Sequence, residues 1–276
     1  MRFFAPALQA AVNTRATLEE ELRQGIRNSQ FVLYYQPQID RNRLIGAEAL
    51  IRWNHPVRSI LPPGDFISLA EETGLILPIG KWVLDAACAQ IAMWTARKQT
   101  AHLSISVNIS ARQFRQPDFV AEVLMALNSS GANPRNLKLE LTESMLVENV
   151  EDVIDKMTEL KLHGLRFSLD DFGTGYSSLA YLKRLPLDQL KIDRSFVRDI
   201  LVDESSAAIA QTIVSLSRAM GLPVIAEGVE TEAQREFLIR IGCHAFQGFL
   251  FSQPLPLKEF EDHWLTNARN AVSAGD

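Results

Sequence analysis

A chain of 276 residues is long enough to bury one large hydrophobic core, and 47% apolar with 22% charged residues is typical of a globular protein. The net charge of −5 supplies no general basic field, so the composition argues against a nucleic acid polymer as partner. No apolar run of membrane-spanning length and no signal peptide are visible. We therefore expect no membrane contact from this segment and a cytoplasmic location.

The cysteine and histidine residues point away from disulfide and zinc chemistry. Cys88 and Cys243 show no motif spacing, and we expect both to be small buried side chains in a reducing compartment. The five histidines are scattered, so the sequence shows no zinc-type cluster.

The first predicted elements are a helix and a β-hairpin. Thr17 precedes an acidic first turn, which predicts a helix that runs to about Asn28. Residues 31–37 predict a strand that ends at Pro37, and residues 44–53 predict the next strand. The turn residues between them predict a hairpin, so the first strand should run antiparallel to its neighbour.

The second strand of this hairpin carries three side chains of interest on one face. Glu48, Leu50 and Arg52 are spaced by two residues, which is the period of a strand. A proline-rich loop follows over residues 56–64, and helices are predicted over residues 65–73 and 80–97.

From residue 103 onward, strands and helices alternate. Such alternation predicts parallel βαβ units. With the opening hairpin, the count reaches eight strands, which favours an α/β fold of the modified (β/α)₈ TIM-barrel type over an open doubly wound sheet. The predicted strands, each with the helix that follows it, are 103–108 with 119–130, 137–143 with 150–162, 166–170 with 177–185, 189–193 with 205–220, 223–228 with 231–241, and 245–249 with 257–264.

The strand at residues 166–170 ends in two adjacent carboxylates, Asp170 and Asp171, followed by Gly173 and Gly175. Neighbouring side chains in a regular strand point to opposite faces, but at a strand end both can diverge around one small object. A hard divalent cation is the natural candidate for that object. The alternative is a strand end that closes with an Asx turn before glycine.

Polar side chains occupy the C-terminal ends of nearly all predicted strands, which is the rim where barrels of this type build active sites. Carboxylates crowded on one rim repel one another, so cations must compensate. Oxygen-only ligands favour Mg²⁺ or Mn²⁺, and the number of ligands favours two ions that share Asp170. Two ions ~4 Å apart serve the hydrolysis of phosphate esters. The rim residues are Glu48, Asn108, Glu140, Asp170, Asp171, Lys191, Glu227 and Gln247.

Seven spaced motifs resemble the EAL-domain phosphodiesterases of bacteria, over about residues 18–264. The resemblance implies a modified (β/α)₈ barrel that hydrolyses cyclic di-GMP to linear 5′-pGpG. The motifs are Glu48-Ala-Leu with Arg52-Trp, Asn108-Ile-Ser, Glu140-Leu-Thr-Glu143, Asp170-Asp-Phe-Gly-Thr-Gly, Lys191-Ile-Asp193, Ala226-Glu-Gly-Val-Glu230 and Gln247-Gly-Phe.

The resemblance also implies roles for individual residues. Lys191 would orient and help to activate the attacking water. Separately, the oxygen-only ligand set predicts that Mg²⁺ or Mn²⁺ supports activity and that Ca²⁺ inhibits, because Ca²⁺ prefers longer bonds and more ligands. One metal would be held by Glu48, Asn108, Glu140 and Asp170, the other by Asp170, Asp171 and Glu227, and the substrate would contact Gln36, Leu50, Arg52 and Gln247. The groups expected to carry the chemistry are Glu48, Asp170, Asp171, Lys191 and Glu227.

The resemblance also implies a larger context. Residues 1–17 resemble the linker that follows a GGDEF domain, residues 18–264 form the EAL domain, and residues 265–276 form a C-terminal tail. We therefore expect fusion to an upstream GGDEF or sensor domain in a longer regulator, and a homodimer. Gln253 replaces the basic residue that is usual before proline in this family, which could weaken a phosphate or guanine contact.

Two other functions remain open from the sequence. A cyclic di-GMP receptor on the same fold would lack catalysis, although the metal ligands of the resemblance are all present here. A carboxylate-pair glycosidase on a barrel is disfavoured by Asn108 and Lys191 among the carboxylates.

Glu143 has a separate predicted role. It follows Glu140 by three residues, so the two side chains cannot both enter the barrel mouth from one strand. We expect Glu143 in the turn after its strand, where it can anchor the loop at residues 172–176 through backbone N–H groups or the Thr174 or Ser177 hydroxyl. The alternative is a solvated turn acid. Asp193 is expected to cap the turn at Ser195 and not to take part in the chemistry.

Overall fold

The computed structural model describes residues 6–146, 149–173 and 179–266 of the chain. Within these ranges the strands belong to one sheet. The strands are β1 (Phe31–Asp40), β2 (Arg43–His55), β3 (Ser59–Leu61), β4 (Ser104–Asn108), β5 (Leu137–Thr142), β6 (Arg166–Phe172), β7 (Gln189–Ile192), β8 (Val224–Ala226), β9 (Ala245–Phe246) and β10 (Leu255–Pro256).

Eight of these strands close into a barrel. Its order is β1, β2, β4, β5, β6, β7, β8 and β9, and β9 pairs with β1 to complete the ring. All neighbours are parallel except at β1, which is antiparallel to both β2 and β9. The short strand β3 pairs with β2, and the short strand β10 pairs with β1, both in antiparallel fashion. The predicted modified (β/α)₈ barrel with an antiparallel first strand is thus confirmed.

The reversed first strand follows from its hairpin. Arg41 and Asn42 have positive φ angles of 46° and 64°, so the two residues between β1 and β2 form a left-handed turn whose twist matches that of the flanking strands. The predicted end of the first strand at Pro37 is wrong. The strand continues to Asp40, with Pro37 opposite Ala47 of β2.

Pro37 is tolerated because the other edge of β1 is interrupted at this point. The ladder with β10 ends at Tyr35, and the ladder with β9 starts at Ile39. A proline lacks the N–H donor that a ladder needs, so a gap between two ladders is a suitable place for it.

The helices lie outside the barrel, and the two predicted at residues 119–130 and 150–162 have the observed bounds. The four-residue helix at residues 111–114 and the six-residue helix at 194–199 were missed, because such short segments show no periodicity. The helices are α1 (Pro6–Arg27), α2 (Ile67–Thr73), α3 (Ile76–Thr95), α4 (Ala111–Phe114), α5 (Phe119–Ser130), α6 (Val150–Leu162), α7 (Leu179–Leu182), α8 (Arg194–Asp199), α9 (Glu204–Met220), α10 (Glu232–Ile241) and α11 (Leu257–Phe260), followed by a π-helical segment at Glu261–Thr266.

Helix α1 crosses the expected start of the domain. Helix α1 is continuous from Pro6 to Arg27, so the expected boundary at residues 17/18 falls inside a helix.

Helix α3 corrects the expectation that no apolar run reaches membrane-spanning length. Among the described residues, α3 alone is long and apolar enough to cross a membrane, judged by length and composition, with a mean hydropathy of 1.3. Half of its apolar window is buried in the fold.

The barrel has an apolar outer face and a polar inner face. Side chains such as Ile105, Leu139 and Leu190 are fully buried between the strands and the helices and form the hydrophobic core. The side chains that alternate with them point inward and bond across the barrel, as Lys138 on β5 does to Gln189 on β7 at 2.7 Å. Because the interior is polar, it can support a charged site at its C-terminal rim.

Candidate active site

Three carboxylates from separate strands meet at the C-terminal rim. Glu48 of β2, Glu140 of β5 and Glu227, which follows β8, each place an oxygen within 4.8 Å of the others. Glu48 and Glu140 are buried and Glu227 is partly buried. Barrel closure brings them together, because parallel strands present their C-terminal ends on one side.

Lys191 of β7 is the cation at the centre of this cluster. Its side chain is completely buried, and its Nζ forms ion pairs with Glu140 and Glu227 and lies 3.1 Å from Asp170 Oδ2. Burial alone would lower the pKa of Lys191, but Asp170, Glu140 and Glu227 together hold it well above its ordinary value. The ammonium therefore stays charged and offsets the negative charge of the rim.

Two carboxylates of the cluster have raised pKa values. Burial raises the pKa of Glu140 to about 7, although Lys191 opposes the shift. Burial likewise raises the pKa of Glu227 well above its ordinary value, against the same opposing ammonium. Both groups would ionise more readily beside an additional cation.

A bulge in β6 allows Asp170 and Asp171 to share the rim. The β6–β7 register advances from Leu169 opposite Leu190 to Phe172 opposite Ile192, so the two aspartates oppose Lys191 alone. Asp171 has a φ of 54°, and its backbone N–H donates to Asp170 Oδ1 at 2.9 Å.

The two adjacent carboxylates were expected at a strand end, whereas the strand in fact continues through both to Phe172. Burial, Asp170 and Asp193 raise the pKa of Asp171 to about 6.

Side-chain amides hold Glu48 in place. Asn108 Nδ2 donates to Glu48 Oε1 at 2.5 Å, and Gln247 Nε2 donates to Glu48 Oε2 and, at 3.0 Å, to Gln36 Oε1. Behind them, the fully buried Gln38 donates to Gln247 Oε1 at 3.1 Å. Gln38 was not predicted, although its spacing of two residues from Gln36 places both on the inner face of β1.

Lys138 and Gln189 are further buried residues that the sequence analysis missed. Their hydrogen bond spans the inner face of β6, because each side chain reaches from a strand on one side of β6. Burial lowers the pKa of Lys138 to about 8, and Glu140 is the foremost charge opposing that shift. Their signal in the sequence is again the spacing of two residues, to Glu140 and to Lys191 respectively.

An open cleft of about 450 Å³ lies above the rim. Leu50 and Arg52 line one side of it, as the face shared with Glu48 predicted. The Arg52 guanidinium lies 5.4 Å from the centre of the Tyr34 ring, and its Nη1 donates to the carbonyl oxygen of Ile51 at 2.9 Å. Gln36 and Gln247 also line the cleft, as do Glu48, Asp171 and Glu227. The predicted substrate contacts therefore share one space with three of the predicted metal ligands.

Glu143 lies directly after β5, at the start of a 3₁₀ turn (Glu143–Leu146). Its side chain is buried, with 3% exposed, and its Oε2 accepts a hydrogen bond from the backbone N–H of Gly173 at 2.9 Å. The predicted position and backbone contact are both present, so the alternative of a solvated turn acid is wrong. Thr174 and Ser177, the other predicted partners, lie outside the described residues.

Asp193, Glu230 and the two cysteines lie at positions that serve the fold. Asp193 Oδ1 caps α8 by accepting from the backbone N–H of Ser195 at 2.9 Å, as expected. Glu230 is exposed and precedes the capping box of α10. Cys88 and Cys243 are fully buried, in agreement with their predicted character.

The residues at the rim fit a divalent cation. The cluster offers oxygen atoms only, which is the donor set of Mg²⁺ and Mn²⁺. Glu140 Oε1 is buried and accepts no hydrogen bond from any residue that the structure describes. A buried carboxylate oxygen without a partner is costly, and a cation at the rim would remove that cost.

Comparisons with known proteins show the family to which the chain belongs. The EAL domain model matches residues 19–254, and the chain belongs to the EAL domain family. It is 45% identical over 259 residues to the bifunctional diguanylate cyclase/cyclic di-GMP phosphodiesterase MucR of Pseudomonas aeruginosa, covering 93% of this chain and 38% of that protein. It is 41% identical over 259 residues to the cyclic di-GMP phosphodiesterase PdeR of Escherichia coli, covering 94% and 39%.

A solved structure supports the same assignment. The structure described as the PaMucR phosphodiesterase in complex with c-di-GMP superimposes with a TM-score of 0.86 at 46% identity, covering 88% of this chain and 99% of that one. The chain spans well under half the length of the two curated relatives, as their covered shares of 38% and 39% show.

Proposed function

We propose that this domain hydrolyses cyclic di-GMP to linear 5′-pGpG with two divalent cations, Mg²⁺ or Mn²⁺. The observation that carries the proposal is the single rim that joins Glu48, Glu140 and Glu227 around the buried Lys191. The chain belongs to a family in which two relatives at 41–45% identity are named as cyclic di-GMP phosphodiesterases.

The proposed metal ligands divide into two sets that share Asp170. Glu48, Asn108 and Glu140 would complete the first set, and Asp171 and Glu227 the second. Bound cations would supply the activation of water and the neutralisation of the phosphoryl oxygens. The β6 bulge supports the sharing, because it places both aspartates opposite the single residue Lys191 of β7.

The protein side chains would perform the positioning work. Lys191 Nζ would orient the attacking water and stabilise negative charge that develops on it, since its ammonium lies among the carboxylates proposed to hold the cations. Asn108 and Gln247 would hold Glu48 in one orientation through their hydrogen bonds. Arg52 and Leu50, which line the cleft, would contact the substrate beside the rim.

The wider context belongs to the same proposal. Because the chain covers 38% of MucR, whose name combines two activities, we propose an upstream GGDEF or sensor domain in the full-length protein. We further propose a homodimer in the cytoplasm, with residues 1–17 and 265–276 as linker and tail. Gel filtration with light scattering would test the dimer directly.

Hydrolysis separates this proposal from a non-catalytic cyclic di-GMP receptor. We expect conversion of cyclic di-GMP to pGpG with Mg²⁺ or Mn²⁺, none with a chelator, and none with Ca²⁺, which prefers longer bonds and more ligands. Asp170→Asn should lower turnover by about two orders of magnitude or more while the variant stays folded. Binding of cyclic di-GMP without any turnover would establish the receptor instead, and turnover near wild type in Asp170→Asn would remove the shared-ligand assignment.

A further inference from the structure

Arg194 lies across the barrel from Arg52. It is the first residue of α8, three residues after Lys191 of β7, and Arg52 lies four residues after Glu48 of β2. In the ring of eight strands, β2 and β7 are separated by four steps in either direction. The two residues therefore lie on opposite sides of the barrel mouth, and both line the cleft above the rim.

Arg194 faces open space on its side. It lines both the 450 Å³ cleft above the rim and an adjoining cleft of about 570 Å³. The backbone of Gly228 packs directly on it, since a Cβ at Gly228 would lie 2.7 Å from Arg194 Cβ. This close packing fixes the base of the arginine side chain at the cleft wall.

The Arg194 guanidinium is not engaged by the protein. It makes no hydrogen bond or ion pair with any residue in the described part of the chain. Arg198, one turn later on the same helix, is the useful contrast. Its Nε and Nη2 donate to the two carboxylate oxygens of Asp199 at 3.0 and 2.8 Å. Five N–H donors of Arg194 are thus available to a ligand, whereas those of Arg198 are partly used.

The surroundings select the kind of group that Arg194 can bind. Asp171, Asp193 and Glu230 line the same cleft as Arg194 and Arg198. The acids outnumber the cations there, which disfavours a second phosphate. A neutral base with two acceptor atoms in one plane is compatible with these acids. Guanine offers such a pair in O6 and N7, which a guanidinium binds in bidentate fashion. The nearby carboxylates can also accept from the N1–H and N2–H donors of guanine.

We propose that Arg194 recognises the O6 and N7 atoms of one guanine of the substrate and so contributes to base specificity. The inference rests on the proposed function. In a cyclic dinucleotide the riboses on the two sides of the scissile phosphate each carry one base. With that phosphate at the central cluster, we expect one base to reach the wall that carries Arg194. Arg194 is a cation on the wall opposite Arg52, and it lines the cleft above the rim.

A thermodynamic cycle that removes Arg194 from the protein and N7 from the substrate, singly and together, tests this contact. Steady-state hydrolysis is measured for wild type, Arg194→Ala and the matched control Arg135→Ala, an exposed arginine in the turn before β5 at the opposite end of the barrel. The substrates are cyclic di-GMP and its analogue with 7-deazaguanine in both halves, which replaces N7 by carbon. We expect about a tenfold loss of kcat/KM, mainly in KM, for Arg194→Ala on the natural substrate and for wild type on the analogue. The two losses should not multiply when combined, and Arg135→Ala should match wild type with both substrates.

The outcomes separate this inference from the proposed function. Losses that multiply, or an Arg194→Ala variant that equals wild type on cyclic di-GMP, overturn the contact with N7 and leave the hydrolysis intact. A folded wild type that fails to hydrolyse cyclic di-GMP overturns the proposed function itself. Thermal unfolding of Arg194→Ala should coincide with that of wild type, because the guanidinium has no partner among the described residues.

Discussion

The carboxylate of Glu143 and the backbone of Gly173 are joined by a hydrogen bond of 2.9 Å between Oε2 and N–H. The bond links the turn after β5 to the end of β6, two residues after Asp171. Asp171 itself lies in a left-handed conformation with a φ of 54°. A residue in such a conformation persists only when its surroundings hold it, and Glu143 is one of those restraints.

Glu143→Ala should therefore lower activity at limiting metal concentration by about tenfold or more, because Asp171 loses its fixed position. Raised Mg²⁺ or Mn²⁺ should restore part of the loss, and Glu143→Gln, which keeps an acceptor oxygen, should lose less. Activity measured across a metal titration checks this. Glu151→Ala, at an exposed acid, is the control. Wild-type activity of Glu143→Ala at low metal concentration would remove Glu143 from the mechanism.

Lys191→Ala should reduce kcat far more than it changes substrate affinity. Its ammonium lies among Glu140, Asp170 and Glu227 beneath the cleft, whereas Arg52 is placed to contact substrate. The physical reason is that the ammonium orients and polarises the nucleophile, a role in the transition state and not in binding. Single-turnover kinetics and equilibrium binding measured in parallel separate the two effects. Severely weakened binding with unchanged single-turnover chemistry would contradict this role.

The two cysteines should be inert to alkylation in the folded protein. Burial raises the pKa of both Cys88 and Cys243 to about 12, so almost no thiolate is present at pH 8. Iodoacetamide labelling followed by mass spectrometry should show slow modification of the native protein and fast modification in urea. A cysteine introduced by Leu162→Cys, at a position 84% exposed, is the accessible control. Labelling of Cys88 or Cys243 at the rate of that control would show that the packing around it opens.

Gly46→Ala should destabilise the barrel where β2 pairs with β4. A Cβ at Gly46 would lie 2.4 Å from the carbonyl oxygen of Ser104, a backbone atom that cannot move aside without separating the strands. We expect a loss of about 2 kcal/mol in the free energy of unfolding, measured in urea. Gly64→Ala has no atom within 4 Å of its new Cβ and should be neutral. A Gly46→Ala variant as stable as Gly64→Ala would show that the β2–β4 contact can relax.

The sequence by itself determined the alternation of strands and helices, the hairpin that reverses β1 and the oxygen-only set of groups at the strand ends. These features follow from local patterns. A spacing of two residues places Glu48, Leu50 and Arg52 on one face, and a spacing of three forces Glu143 into the turn after Glu140. The Glu143 contact could also be anticipated, because consecutive parallel strands are neighbours in a barrel.

The tertiary structure alone decided how the charges are balanced. The β6 bulge depends on the register between β6 and β7, so no local pattern around Asp170 could reveal it. The position of Lys191 among three carboxylates, and the buried pairing of Lys138 with Gln189, require the barrel to close. These interactions join residues far apart in the chain, and pairing register and closure are properties of the whole sheet.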